Sequence, residues 1–273
     1  MIKQAIIPLA GLGTRLLPLT SVLPKELLPI NGKPGLEYIL DECIESGITE
    51  IIFIISKKKE IIKKYFYNDI FYTNLIKKKG RDKRLKIEYS KIKKYKKVIR
   101  FVYQNSPRGT GDAILKCKNL IKSNYFLLLM PDDLIIKNNC SNSLIKLHKR
   151  YNSSIIASKK VLRKNVTRWG IFDFKRINKK NFLIKDVVEK PNIKSAPSNY
   201  AVIGRYILPR KIFKILENQK PGKNAEIHIT DSIRSLISKK NRFIGHIFDG
   251  KYLDCGSMEG YINSNLEISK YNL

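Results

Sequence analysis

Residues 3–15 read KQAIIPLAGLGTR. A short apolar run ends in a loop carrying two glycines, which predicts a buried strand followed by a tight turn. The pattern repeats outward from there. Residues 35–46, GLEYILDECIES, place apolar side chains at helical spacing, and Gly47 supplies a helix stop. Residues 50–55, EIIFII, form the next apolar run. Strand, helix and strand in that order predict a parallel sheet covered by helices on both faces. Strands are expected at 98–103, 125–130 (YFLLLM) and 153–158, with helices at 109–120 and 141–151. Beyond residue 158 the pattern is mixed, with strands expected near 182–189, 200–207 and 242–248 and helices near 209–217 and 230–239. There is no internal repeat and no Gly/Ser-rich linker, and 273 residues are enough for one large α/β domain or two small ones.

Fifty-four Lys and Arg against 23 Asp and Glu give a formal charge of +31. Such a balance invites a nucleic-acid reading, because clustered cations displace counterions from phosphate backbones. Here the cations are mostly dispersed, apart from a denser stretch over residues 77–100, KKKGRDKRLKIEYSKIKKYKKVIR. Richness in Lys, Ile and Asn together points to surface drift toward A/T-rich codons, so a solvated basic face is preferred over RNA binding. Only Tyr89 and Tyr95 lie inside the 77–97 part, a thin stacking platform for nucleic acid. That part reads as an insertion or a mobile helical arm. The charge still favours anionic substrates.

Four cysteines without CxxC spacing and three scattered histidines form no metal-site pattern. Reduced thiols in a cytoplasm are the simplest reading. No targeting segment is evident, and the longest apolar run, residues 125–136, is too short to span a bilayer and holds two aspartates. No membrane partner is expected.

Three constellations could carry chemistry. Residues 10–15, AGLGTR, let backbone N–H groups approach phosphate oxygens. The segment is neither a dinucleotide fingerprint, because Leu16 stands where the third glycine would fall, nor a Walker A loop. Arg15 and Lys25, at the two ends of a loop kept irregular by Pro18 and Pro24, can converge on one anion. Next, Pro131, Asp132 and Asp133 follow the buried strand directly. Ligands of open parallel sheets bind at the carboxyl ends of the strands, so a carboxylate there is a natural Mg²⁺ ligand, although Asp is also common in turns and caps. Asp254, after another apolar run, could be a second ligand. Last, Glu189 and Lys190 in VEKP are an acid and a base on a strand end. Neighbours on a strand face opposite ways, so the two share a pocket only if the strand stops there, as Pro191 suggests; spacing alone favours an exposed charge pair.

Taken in order, AGLGTRLLPLTSVLPKELLPINGKP, QNSPRGTGDAI, MPDD, WGIFDF, VEKP, SNYAVIGRYIL, AEIHITDSI and YLDCGSMEGY resemble the sugar-1-phosphate nucleotidyltransferases. The likeness is to the bacterial UTP–glucose-1-phosphate uridylyltransferases (UDP-glucose pyrophosphorylases) in particular, and it runs from about residue 2 to residue 268. Related thymidylyltransferases usually carry Lys-Gln where this chain has Lys25-Glu26. The resemblance implies one nucleotidyltransferase domain over 1–273: a Rossmann-like α/β fold whose mixed, mainly parallel sheet has helices on both faces and added sugar-binding elements. It implies that Ala10, Gly11 and Gly13 line the nucleotide, that Arg15 and Lys25 engage the triphosphate, and that Gln104 and Gly109 read the uracil edge. Asp132 and Asp254 would hold Mg²⁺, Gly170, Glu189 and Gly204 would shape the glucose pocket, and Lys190 would hold the sugar phosphate. The substrates implied are UTP and glucose-1-phosphate, in a cytoplasmic homodimer or homotetramer with no specific nucleic-acid partner. Two departures stand out: Pro131 occupies a position where many relatives have Gly, and relatives often continue into further C-terminal helix.

Overall fold

The computed structural model describes residues 2–80, 82–222 and 225–271. The first apolar run forms β1 (Gln4–Pro8), and the glycine loop after it continues through three 3₁₀ turns, Thr14–Leu16, Leu19–Ser21 and Lys25–Leu27. A short hairpin, β2 (Pro29–Ile30) and β3 (Lys33–Pro34), leads into α1 (Gly35–Glu45). Gly47 follows that helix at φ 80°, a conformation that costs glycine little. Then come β4 (Glu50–Ile55), α2 (Glu60–Tyr67), α3 (Asp69–Lys78), α4 (Lys83–Val98) and β5 (Ile99–Tyr103). The middle of the chain supplies α5 (Thr110–Leu115), β6 (Tyr125–Leu129), β7 (Asp133–Ile136), α6 (Cys140–Tyr151) and β8 (Ser154–Lys160). The last third holds β9 (Gly170–Arg176), β10 (Asn181–Glu189), β11 (Tyr200–Pro209), α7 (Ile212–Asn218), α8 (Ile229–Ser238), β12 (Phe243–Ile247), β13 (Lys251–Asp254) and α9 (Met258–Ser269).

Among the described residues the main sheet has the order β5-β4-β1-β6-β11-β8-β12-β10-β9. β5, β4, β1 and β6 are mutually parallel, as alternating strands and helices require. β11 then enters antiparallel between β6 and β8, and β10 runs antiparallel to both β12 and β9. The purely parallel reading therefore fails past β6, and the mixed, mainly parallel sheet is what forms. Hydrophobic pattern does not carry strand direction, and a strand buried on both faces looks the same either way.

Two apolar layers sandwich the sheet. Ala5, Ile7, Ile51, Phe53, Leu127 and Leu129 face one layer with α1, α2, α4 and α6, while Ile6, Ile52, Ile54, Phe126 and Leu128 face the other with α5, α7 and α8. The period of two is thus present inside continuous apolar runs, each face having its own helical cover. The helix expected over 109–120 stops at Leu115 and continues as turns whose N–H groups reach three residues back, from Lys116 to Ala113 and from Cys117 to Ile114.

Most of the basic stretch is helical: Lys77 and Lys78 end α3, a turn at Lys79 and Gly80 follows, Arg81 lies outside the described residues, and residues from Lys83 onward form α4. The helix is docked: Ile92 and Tyr95 are buried, Tyr95 donates to Asp41 Oδ1 at 2.7 Å, and Lys91 pairs with Glu37 at 2.9 Å. Its cationic face is solvated. Among the described residues no helix is long and apolar enough to cross a membrane.

Candidate active site

β1 ends at the carboxyl edge of the sheet, where residues 10–15 turn outward. A Cβ at Gly11 would meet nothing within 4 Å, so its backbone borders open space. Gly13 sits at φ 73°, and Thr20 Oγ1 donates to its carbonyl at 2.9 Å, folding the loop back on itself. Pro24 then delivers Lys25 beneath the loop. Glu26, next along, is buried and accepts from Lys59 Nζ at 2.8 Å on both oxygens. That buried pair anchors the loop from below.

Asp132 stands at the end of β6. Lys25 Nζ lies 2.8 Å from its Oδ2 and Arg15 Nη2 lies 3.6 Å from the same atom. The Asp132 carbonyl accepts from Cys255 N at 2.8 Å, which ties the end of β13 to the end of β6. β13 pairs with β7 in a separate ribbon that sets Asp254 opposite Asp133. Asp254 Oδ1 accepts from Gly256 N at 3.0 Å, and its Oδ2 is held by Arg168. A Cβ added at Gly256 would stand 2.8 Å from Asp132 Oδ2, 2.9 Å from Arg15 Nη2 and 3.2 Å from Asp254 Oδ1. Two carboxylate oxygens therefore face one small space that only glycine leaves free.

The two adjacent aspartates have opposite electrostatic fates. Burial alone would raise the Asp132 carboxyl, but the charge and hydrogen bond of Lys25, with Arg15 farther off, hold it below the usual carboxylate range. Burial works against the Lys25 ammonium, yet Asp132 and Glu26 outweigh it and raise its pKa. Burial, aided by the Asp132 charge, pushes Asp133 up to about 6. Asp133 is engaged structurally: Oδ1 accepts from Tyr252 Oη at 2.6 Å and Oδ2 from Gly204 N at 2.8 Å.

A cleft of about 410 Å³ opens beside Asp132, and Ala10, Gly11, Gly13, Lys25, Gln104 and Gly109 line it together with Asp132 itself. Gly109 is at φ 98°, and a Cβ there would stand 2.7 Å from the Ile227 carbonyl, so this glycine lets the segment before α8 close against the cleft. Glu189 and Gly170 form a second group, paired across β10 and β9, with Thr230 Oγ1 donating to Glu189 Oε2 at 2.8 Å. β10 stops at Glu189; Lys190 takes φ 44° and donates its N–H to Trp169 O at 3.1 Å. The Lys190 side chain is exposed and has no carboxylate partner among the described residues. Gly204 is placed differently from the other candidates. It is buried within β11 under the aspartates, where a Cβ would meet Asp133 Oδ2 at 2.4 Å and Met130 Cβ at 2.5 Å.

Sequence reading passed over several residues that organise this region: Arg168, Thr230, Gly256, Asp112 and the Glu26–Lys59 pair. Arg168 adjoins WGIFDF, and Glu26, Asp112, Thr230 and Gly256 lie within AGLGTRLLPLTSVLPKELLPINGKP, QNSPRGTGDAI, AEIHITDSI and YLDCGSMEGY respectively, which was the available signal; Lys59 lies in none of the quoted segments. Also missed was Arg205, wholly buried in β11. Its Nε and Nη2 donate to Glu42 at 2.8–3.1 Å, and its Nη1 donates to Met130 O and Gly204 O at 3.2 and 3.1 Å. Glu42 holds the guanidinium charged in spite of burial. Among the described residues no group of three or more His, Cys, Asp or Glu is arranged to hold a metal by itself.

Backbone exposed by glycine at a strand end, and two cations gathered on a carboxylate beside it, suit a protein that handles nucleotide phosphates. The family model described as nucleotidyl transferase matches residues 4–271, and the chain belongs to that family. It is 36% identical over 272 residues to the UTP–glucose-1-phosphate uridylyltransferase of Bacillus subtilis, covering 98% of this chain and 91% of the relative. A UDP-glucose pyrophosphorylase solved with UDP-glucose superposes with a TM-score of 0.86 at 38% identity over 99% of both chains. A UTP-bound UGPase from Acinetobacter baumannii superposes with a TM-score of 0.86 at 32% identity, over 98% of this chain and 93% of that one.

Proposed function

We propose that the protein transfers the uridylyl group of UTP to glucose-1-phosphate, giving UDP-glucose and pyrophosphate. The observation that carries this reading is the meeting of Arg15, Asp132 and Asp254 around Gly256, with Lys25 paired to Asp132, at the side of a cleft floored by the glycine loop. Relatives that share nearly the whole chain are named for this reaction.

An oxygen of the sugar phosphate attacks the α-phosphorus, and pyrophosphate leaves from the opposite side. A sugar phosphate is already ionised at neutral pH, so the site needs no strong general base. What remains is positioning and charge neutralisation, and positioning alone can be worth roughly 7–11 kcal/mol of barrier. Lys25, kept protonated by Asp132, and Arg15, whose side chain is largely exposed, offer donors to the triphosphate. Lys190, without a carboxylate partner among the described residues, would take the sugar phosphate, and Glu189 would accept from sugar hydroxyls. Gln104 and Gly109 would meet the base.

Mg²⁺ fits the donor set, since Asp132 and Asp254 present hard oxygens to the space above Gly256, with phosphate oxygens and water completing the shell. When bound it would neutralise charge on the phosphates. We place the reaction in the cytoplasm, in keeping with four buried free cysteines, and expect a homodimer or homotetramer.

The test is pyrophosphate release from purified protein with glucose-1-phosphate and Mg²⁺, offering UTP, dTTP, ATP, GTP and CTP separately. Release that prefers UTP and stops with EDTA supports the assignment. A preference for dTTP overturns the base, and no release from folded protein overturns the activity.

A further inference from the structure

Gln104 follows β5 directly, its N–H bonded to Ile55 O at 2.9 Å, and its side chain is 4% exposed where it borders the cleft. The amide nitrogen has two hydrogens and both are engaged. Nε2 lies 2.7 Å from Asp112 Oδ2 and 3.4 Å from Gly109 O. Asp112 is itself buried, on α5, with Lys116 Nζ 3.5 Å from its other oxygen. A carboxylate beside a lysine is an acceptor only, so it decides which end of the Gln104 amide turns toward it. The amide carbonyl is left over, with no donor among the described residues.

We propose that Asp112 is a positioning residue for base selection. By holding the Gln104 nitrogen, it leaves the cleft an acceptor and no donor at this point. Uracil and thymine carry a hydrogen on N3 that such an oxygen can accept; cytosine presents a lone pair there, which the oxygen repels. A pyrimidine is thus chosen by the protonation of N3, through a residue that does not touch it. The selection follows from leaving a buried polar group unsatisfied with the wrong base, a stronger discriminator than fit alone. This rests on the reading that Gln104 faces the base.

The experiment compares kcat/KM for UTP and CTP in the wild type, Asp112→Asn and Gln104→Ala. An asparagine can offer Gln104 either a carbonyl or an amino group, so the Gln104 amide is released to present either end. Asp112→Asn is expected to lower the UTP-to-CTP ratio about ten- to a hundredfold. The change should fall in KM, with kcat at saturating UTP held within about twofold. Asp112→Ala, which removes the acceptor without adding a donor, carries the same expectation and serves if the asparagine variant does not fold. Equal losses with both nucleotides, or an unchanged ratio in the Asp112 variants while Gln104→Ala alters it, would overturn the role of Asp112 and leave the base reading intact. An unchanged ratio in Gln104→Ala shows that Gln104 does not face the base, and overturns both.

Discussion

Replacing Glu42 by Gln removes one buried negative charge from α1 and leaves Arg205 buried without a counterion. The Glu42 oxygens accept from Arg205 Nε and Nη2 at 2.8–3.1 Å and from Ser141 N at 3.0 Å, with Ser141 Oγ also donating to Oε1. Whichever way a glutamine amide is turned, its amino group meets a guanidinium donor. Removing one partner of a buried pair costs about 3–5 kcal/mol. At about 2–4 °C per kcal/mol for a chain of this size, Tm should fall by roughly 6–20 °C. Arg205 also holds the Met130 carbonyl, two residues before Asp132, and the carbonyl of Gly204, whose N–H bonds Asp133, so kcat should fall as well. Thermal unfolding followed by Trp169 fluorescence, together with pyrophosphate release, reads both effects. The double variant Glu42→Leu/Arg205→Met should recover much of the stability, because a matched apolar pair carries no desolvation cost. A Tm loss of only 1–2 °C in Glu42→Gln would mean that water reaches this pair, and would refute the reasoning.

Asp132→Asn should abolish pyrophosphate release while leaving the circular dichroism spectrum and melting cooperativity intact; an unchanged rate at saturating Mg²⁺ would remove Asp132 from the chemistry. Gly204→Ala should destabilise by about 1–3 kcal/mol in urea titration, since the new methyl would stand 2.4 Å from Asp133 Oδ2 and 2.5 Å from Met130 Cβ. An unaltered midpoint would show that β11 yields easily. Burial lowers the His246 imidazole to about 4, with Nδ1 bonded to Asn181 Oδ1 at 2.8 Å. The unfolded chain therefore protonates first as pH drops through 6.5, and stability is lost down to pH 4. That loss is about 2 kcal/mol between pH 7 and 5, and His246→Gln should remove it from the pH profile of urea unfolding.

The amino-terminal half of the fold was legible because its strands and helices alternate and each apolar run is bounded by turn residues. β7 was hidden as the tail of the run over 125–136, β13 is only four residues long, and β9 was seen as a motif without being read as a strand. β11 was visible as a strand, but neither its direction nor the burial of Arg205 within it could be read from the pattern. The candidate site divides the same way. Arg15, Lys25 and Asp132 announce themselves by adjoining a glycine loop or a strand end. Arg168 and Asp254 are 86 residues apart in the chain, and Glu42 and Arg205 are 163 apart, so no spacing rule links them. Asp112 lies inside the quoted segment QNSPRGTGDAI, but its side-chain bond to Gln104 depends on how the loop folds back and not on the motif.

β11 lies between β6 and β8 in the sheet yet is made after both. During synthesis the sheet is first built with its middle missing. The edge of β6 carries FLLL and that of β8 carries SIIAS, both waiting for a partner that arrives from the ribosome on the order of seconds later at about 5–20 residues per second. An open apolar strand edge is a template for pairing with the wrong chain. The interval before residue 209 emerges is therefore the time at which a nascent copy is most exposed to aggregation and most in need of a chaperone. Truncations ending between residues 160 and 200 should be the least soluble of any series.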